Sequence, residues 1–208
     1  MHVYDPQPSA VRDWICARVR GPRALDVGCG VGYFGRARSD VRWTGIDVNP
    51  EACRVARTDY ETVVCASASD PGALSGLGPP FDDVVCCDVL EHFAEPAELL
   101  RHLRPLVAPA GRLVVAIPNV AHWAVRKSLL LGRWEYADEG PLDRTHLRFF
   151  THATARRLLA DCGYDVVDTG QSVLAPRVLR VAAPIVNRRA DLFSTHFLAV
   201  ALPRAGGS

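Results

Sequence analysis

The chain has 208 residues, is 49% hydrophobic and sets 24 basic against 23 acidic side chains, for a formal net charge of +1. This length suits one domain, residues 1–208, that buries a sheet on both faces. A charge so near neutral offers no field for nucleic acid or an anionic membrane, and no run of about 18 apolar residues exists to cross a bilayer. A cytoplasmic chain with no nucleic-acid or membrane partner is expected, since the opening Met1–Pro6 also lacks a basic region followed by an apolar core. The 7 cysteines, at 16, 29, 53, 65, 86, 87 and 162, show no Cys-x-x-Cys spacing and lie mostly in apolar runs, a pattern of buried thiols and not of disulfides or a zinc site.

In chain order, residues 8–20 place Val11, Trp14, Ile15 and Val19 at helical spacing, with Ser9 as N-cap and Gly21-Pro22 as the stop. Tyr4 precedes this helix and can reach over a ligand. Leu25-Asp-Val-Gly-Cys-Gly-Val-Gly-Tyr-Phe-Gly35 then packs an apolar run, an acid and four glycines into eleven residues, the pattern of a strand ending in a ligand loop. A second strand runs from Val41 to Asp47, followed by a helix over 50–58 and a third strand over 62–66. Residues 71–80, rich in Gly and Pro, read as a loop. The fourth strand, 81–87, delivers Asp88-Val-Leu-Glu91-His92-Phe93 at its C-terminal end, where open α/β sheets bind ligands. A helix from Pro96 to about Leu106 and a turn at 108–112 lead to the fifth strand, 113–117.

Residues 119–150 are too long for a simple connection and carry Trp123, Trp134, Tyr136, His122, His146 and several arginines, which marks them as a substrate lid. Thr151 caps a helix that stops at Cys162-Gly163, and the sixth and seventh strands occupy 164–168 and 196–202. Between them, Val178, Leu179, Ala182, Ile185 and Val186 share one helical face, fit for packing, for closing the site or for a homodimer contact. Residues 205–208 read as a disordered tail.

The glycine loop admits two frames. Gly30-x-Gly32-x-x-Gly35 is a literal dinucleotide fingerprint, with Asp47 downstream as a ribose acid. Asp26-x-Gly28-x-Gly30-x-Gly32 instead resembles motif I of the class I S-adenosylmethionine-dependent methyltransferases. An acid at the strand end suits a cationic amino group and repels a pyrophosphate. The Tyr-x-x-x-Lys of short-chain dehydrogenases is also absent, because Trp123 stands four residues before Lys127, the chain's lone lysine.

The resemblance implies an α/β, Rossmann-like class I methyltransferase fold: a seven-stranded mixed sheet with helices on both faces and a lid inserted after strand 5. It implies that Asp26, Gly28, Cys29, Gly30, Gly32 and Tyr33 surround the cofactor's amino-acid end. Asp47 and Val48 would take the ribose, Ser67 would border the adenine, and Cys87, Asp88 and Val89 would flank the sulfonium. Ala66 stands where many relatives have an acid for the adenine amino group, so backbone groups or Asp70 would serve instead. Asp88-Val-Leu-Glu-His-Phe, Ile117-Pro-Asn and Leu142-Asp-Arg-Thr-His-Leu-Arg-Phe-Phe-Thr151 resemble bacterial small-molecule methyltransferases, which act on sugars, polyketides and other metabolites.

Methyl transfer from a sulfonium is an in-line displacement, and a hydroxyl acceptor must also lose a proton to a base or through a metal ion. Asp88, Glu91 and His92 stand at i, i+3 and i+4, so one helical turn can aim all three at one point. The run resembles the metal-binding segment of ubiquinone-biosynthesis O-methyltransferases and of small-RNA 2′-O-methyltransferases, which implies Mg2+ or Mn2+ on Asp88, Glu91, His92 and His146. Without a metal, His146 and His122 are the candidate bases. Pro-Asn-x-x-His-Trp followed by Leu-Leu-Leu-Gly-Arg also resembles a methyltransferase-like protein of methionine biosynthesis, on which reading the chain regulates a partner.

Overall fold

The structure, a computed structural model, describes residues 9–78, 80–173 and 190–204. Tyr4, the 175–189 segment and the 205–208 tail lie outside them. Helix α1 (Ala10–Cys16) starts at Ser9, whose hydroxyl accepts from the Arg12 amide at 3.3 Å, and it ends earlier than its apolar spacing predicts. Strand β1 (Arg23–Val27) runs through the glycine loop into α2 (Tyr33–Ala37), β2 (Arg42–Asp47), α3 (Pro50–Ala56) and β3 (Thr62–Cys65).

The expected loop at 71–80 instead holds α4 (Pro71–Ser75). Asp70 caps it by accepting from the Gly72 amide at 2.8 Å, and Pro71 fills the first helical position, where a missing N–H costs nothing. Beyond β4 (Phe81–Cys87), α5 (Pro96–Leu103) tightens into a 3-10 turn before β5 (Val107–Pro118). The expected turn at 108–112 lies inside β5, as an irregular pairing with β4 between Phe81 and Asp83. Then come α6 (Trp123–Leu130), α7 (His152–Asp161), β6 (Tyr164–Val173), α8 (Ala190–Phe193) and β7 (Ser194–Pro203). The sixth strand is twice its expected length because all of it pairs with β7.

The sheet order is β3-β2-β1-β4-β5-β7-β6, with β7 antiparallel to both its neighbours. Strand order reverses at β1, which places the ligand crevice beyond the carboxyl ends of β1 and β4. Because β7 runs backwards, its first residues share that edge, and His196 stands opposite Pro118.

Both faces of the sheet are covered, so the central strands read as unbroken apolar runs. In β4, Val84 and Cys86 face the core under α4, α5 and α7, whereas Val85 faces the core under α1, α2 and α3. The amino edge is pinned by Asp83, fully buried, which accepts from the Arg20 and Gly21 amides at 2.8 Å and meets Arg112 at 2.6 Å. The cysteines are free thiols, and of these Cys65 departs from expectation by lying exposed at the end of β3.

Candidate active site

The loop after β1 turns through left-handed backbone at Gly28 (φ 71°) and Gly32 (φ 85°). A Cβ at Gly28 would lie 2.6 Å from Val89, and one at Gly32 would lie 3.0 Å from the Ala56 backbone, so both positions need glycine for approach as well as for angle. Asp47 ties this loop to β2: its Oδ2 accepts from the Gly30 amide at 2.9 Å and its Oδ1 from the Asn49 amide at 2.8 Å. Each oxygen keeps a further lone pair for a ligand hydroxyl. Gly28, Asp47, Val48, Ala66, Asp88 and Val89 help to line a cleft of about 240 Å³.

Other residues expected at the cofactor stand differently. Asp26 is 2% exposed beneath the loop and accepts from the Tyr60 hydroxyl at 2.6 Å. Burial, offset in part by that bond, pushes its carboxyl up to about 7. Tyr60 was missed in the sequence because it lies outside the motif. The Cys29 side chain tucks under Gly45, and burial raises its thiol. Tyr33 opens α2 with its ring edge-on to Phe34 and under the Arg12 guanidinium. The Ser67 hydroxyl accepts from the Ser69 amide, leaving Ala66 and Ala68 on the cleft wall. Cys87 lies behind Asp88, its thiol 3.6 Å from Oδ2.

Beyond β4 the chain makes a 3-10 turn, Leu90–His92, that buries Glu91 to 1% exposure. Neither carboxylate oxygen of Glu91 has a hydrogen-bond partner, and burial followed by the charge of Asp88 drives its carboxyl well above the usual range. Its carbonyl accepts from the Leu147 and Arg148 amides at 2.8 and 3.0 Å, which fastens the end of the 119–150 segment to this turn. That bond brings His146 Nε2 to 3.8 Å from Glu91 Oε1, with its ring 4.9 Å from that of His92. Burial, and then His92, lowers the His146 imidazole.

Glu91, His92 and His146 each offer a ligand atom within 4.8 Å of the others. His146 Nδ1 faces the Pro141 carbonyl and His92 Nδ1 the Thr145 carbonyl. A carbonyl only accepts, so each Nδ1 carries the hydrogen and each Nε2 keeps a lone pair for a cation. The orphaned buried carboxylate and the two oriented imidazoles fit a divalent ion.

Asp88, which the resemblance implies as a fourth member, does not stand in this group of three. Left-handed backbone at Asp88 (φ 55°) turns its carboxylate toward His196, whose Nε2 is 3.1 Å from Oδ1. His122 is buried as the N-cap of α6, where Nδ1 accepts from the Ala124 amide at 3.4 Å, the position of a structural cap and not of an exposed base. The 119–150 segment is closed at its base by a bridge between Asn119 and Phe150.

Strand order, crevice and glycine loop together define the class I fold of the S-adenosylmethionine-dependent methyltransferases. A family model described as a methyltransferase domain matches residues 9–169. The chain belongs to this methyltransferase-domain family, whose cofactor is S-adenosylmethionine.

Ubiquinone biosynthesis O-methyltransferase from Xanthomonas campestris pv. campestris is 35% identical over 122 residues, covering 51% of this chain and 48% of that protein. This chain spans about half the length of the curated relatives it matches. An S-adenosylmethionine-dependent methyltransferase from Archaeoglobus fulgidus superposes with a TM-score of 0.64 at 20% identity, over 93% of this chain and 91% of that one. Magnesium protoporphyrin IX methyltransferase from Synechocystis PCC 6803 with bound S-adenosylhomocysteine gives a TM-score of 0.63 at 19% identity, over 97% and 90%. Among the described residues, no helix is long and apolar enough to cross a membrane.

Proposed function

We propose that this chain is an S-adenosylmethionine-dependent O-methyltransferase acting on a small molecule. The observation that carries the oxygen assignment is Glu91, buried beside His92 and His146 with neither oxygen in a hydrogen bond. A carboxylate desolvated to no structural benefit is a cost that a bound cation repays. The relatives named for ubiquinone biosynthesis favour a ring hydroxyl as acceptor over the sugar or polyketide first expected.

Bound S-adenosylmethionine supplies an electrophilic methyl group on a sulfonium. Asp47 holds the ribose hydroxyls, and the amides of the glycine loop face the amino-acid end. Val89, packed against Gly28, helps wall the cleft. The lid, fastened through Glu91, shields the far side from water. Mg2+ or Mn2+ on Glu91, His92 and His146 would lower the pKa of an acceptor hydroxyl.

The test is transfer of a labelled methyl group from S-adenosylmethionine to catechol, with Mg2+, with Mn2+ and with a chelator. Methylated catechol that disappears on chelation is expected. Methylation indifferent to chelation removes the cation, and labelled product only from amines removes the oxygen assignment.

A further inference from the structure

Three residues before Glu91, a second carboxylate meets a third histidine in an arrangement that the cation cluster leaves unused. Asp88 follows the last residue of β4, and its amide donates to the Ala116 carbonyl of β5 at 3.0 Å. Among the described residues it is the one non-glycine with positive φ, a conformation that costs free energy and concentrates at functional sites. Its side chain is 32% exposed and helps to line the cofactor cleft.

His196, the third residue of β7, reaches Asp88 over the end of the intervening β5. The 3.1 Å separation is an ion-pair contact, and Oδ1 has no hydrogen bond of its own. The other ring nitrogen is held as well: Nδ1 lies 2.9 Å from Thr195 Oγ1, which is anchored to the Ser172 carbonyl of β6 at 3.2 Å. A Ser172–Thr195–His196–Asp88 chain thus runs from the outer strands to the crevice, and it fixes the orientation of the imidazole ring.

Burial raises Asp88, but His196 and Arg12 more than offset it and hold the carboxyl below its usual range, so that it stands in the cleft as a carboxylate.

We propose that Asp88 receives the acceptor's hydroxyl proton during methyl transfer and that His196 is the positioning residue that keeps its carboxylate aimed into the cleft. This rests on the O-methyltransferase reading above. In the step, the acceptor oxygen bonds to the methyl carbon as the carbon–sulfur bond breaks, and that electron pair stays on sulfur as a thioether. The O–H bond breaks and its proton passes to Asp88 Oδ2, while Oδ1 stays in contact with His196. Positive charge on the sulfonium and negative charge on Asp88 are consumed together, leaving a neutral ether and a neutral acid.

The experiment uses the full chain, catechol as acceptor and labelled S-adenosylmethionine, with S-adenosylhomocysteine affinity measured by calorimetry on every variant. Asp88→Asn should lower kcat about 100-fold with cofactor affinity held, the size of a lost proton acceptor. His196→Ala should lower kcat about 10-fold with little change in KM, and His196→Gln, whose amide N–H reaches the same oxygen, should recover most of it. A kcat within about threefold of the parent in either Asp88→Asn or His196→Ala overturns the proposal, as does a loss in His196→Ala that glutamine fails to recover. Cofactor binding without methylation of catechol overturns it through the acceptor class. If the parent protein does not bind S-adenosylhomocysteine, the methyltransferase reading itself falls.

Discussion

The two halves of the crevice are built by opposite means. On the β1–β3 side, the groups that face the ligand are largely backbone, held by glycines and by Asp47, and they come from a stretch of sequence short enough to read as one motif. On the β4–β7 side they are side chains that meet across the chain: His92 with Thr145 from the lid, and Asp88 with His196 from the last strand. A backbone cradle tolerates change anywhere except at its glycines and its acid. A side-chain cluster depends on every element that delivers a member, and that is how a common cofactor fold acquires separate acceptors.

The largest expected effect tests the cradle. Asp47→Ala should weaken S-adenosylhomocysteine binding about 100-fold, because it removes both the proposed ribose acceptor and the tie to the Gly30 and Asn49 amides. Calorimetry reads this, and an unchanged affinity would erase the contrast between the halves.

Next comes the cluster. Glu91→Gln should weaken Mn2+ binding about 10-fold or more while leaving cofactor affinity alone. It should also raise Tm by a few degrees, since the buried side chain has no hydrogen bond to lose. A fall in cofactor affinity equal to the fall in Mn2+ affinity would show that the halves are not separable.

A smaller effect is the pH dependence of stability. The carboxyl of Asp26 rises from 3.8 to about 7 on folding. Between those values the folded chain holds a proton that the unfolded chain has released, so this contribution to stability is complete below the lower value and is lost as pH climbs to the upper one. Tm should therefore fall as pH rises from about 4 to 7, and Asp26→Asn should flatten the slope; an identical slope in the variant would remove Asp26 as its source. Smallest of all, Leu130→Ser on the 87% exposed lid position should move Tm by less than about 1 °C.

What could be read from the residues alone follows the same division. The sheet was legible because strands covered on both faces write themselves as apolar runs, and the glycine loop because its spacing is local. Glu91, His92 and His146 could be grouped because the turn after β4 sets two of them side by side and family resemblance supplied the third. His196 and Tyr60 were not legible: a histidine opening a terminal strand and a tyrosine after α3 carry no periodic signal, and only the β3-β2-β1-β4-β5-β7-β6 order brings them to their acids. The same order explains Asp88, grouped by spacing with Glu91 but drawn away by a partner more than a hundred residues distant. Helix α4 was hidden because Pro71 signals both a turn and a helix start.

The bridge between Asn119 and Phe150 has an evolutionary reach. Asn119 also donates to the Asp191 and Ser194 carbonyls at 2.7 and 2.8 Å, so both stems of the intervening segment are sewn to the rim of the sheet independently of what lies between them. A stretch moored in this manner can vary in length between its stems, provided that its end still delivers His146 and the Leu147 and Arg148 amides to Glu91.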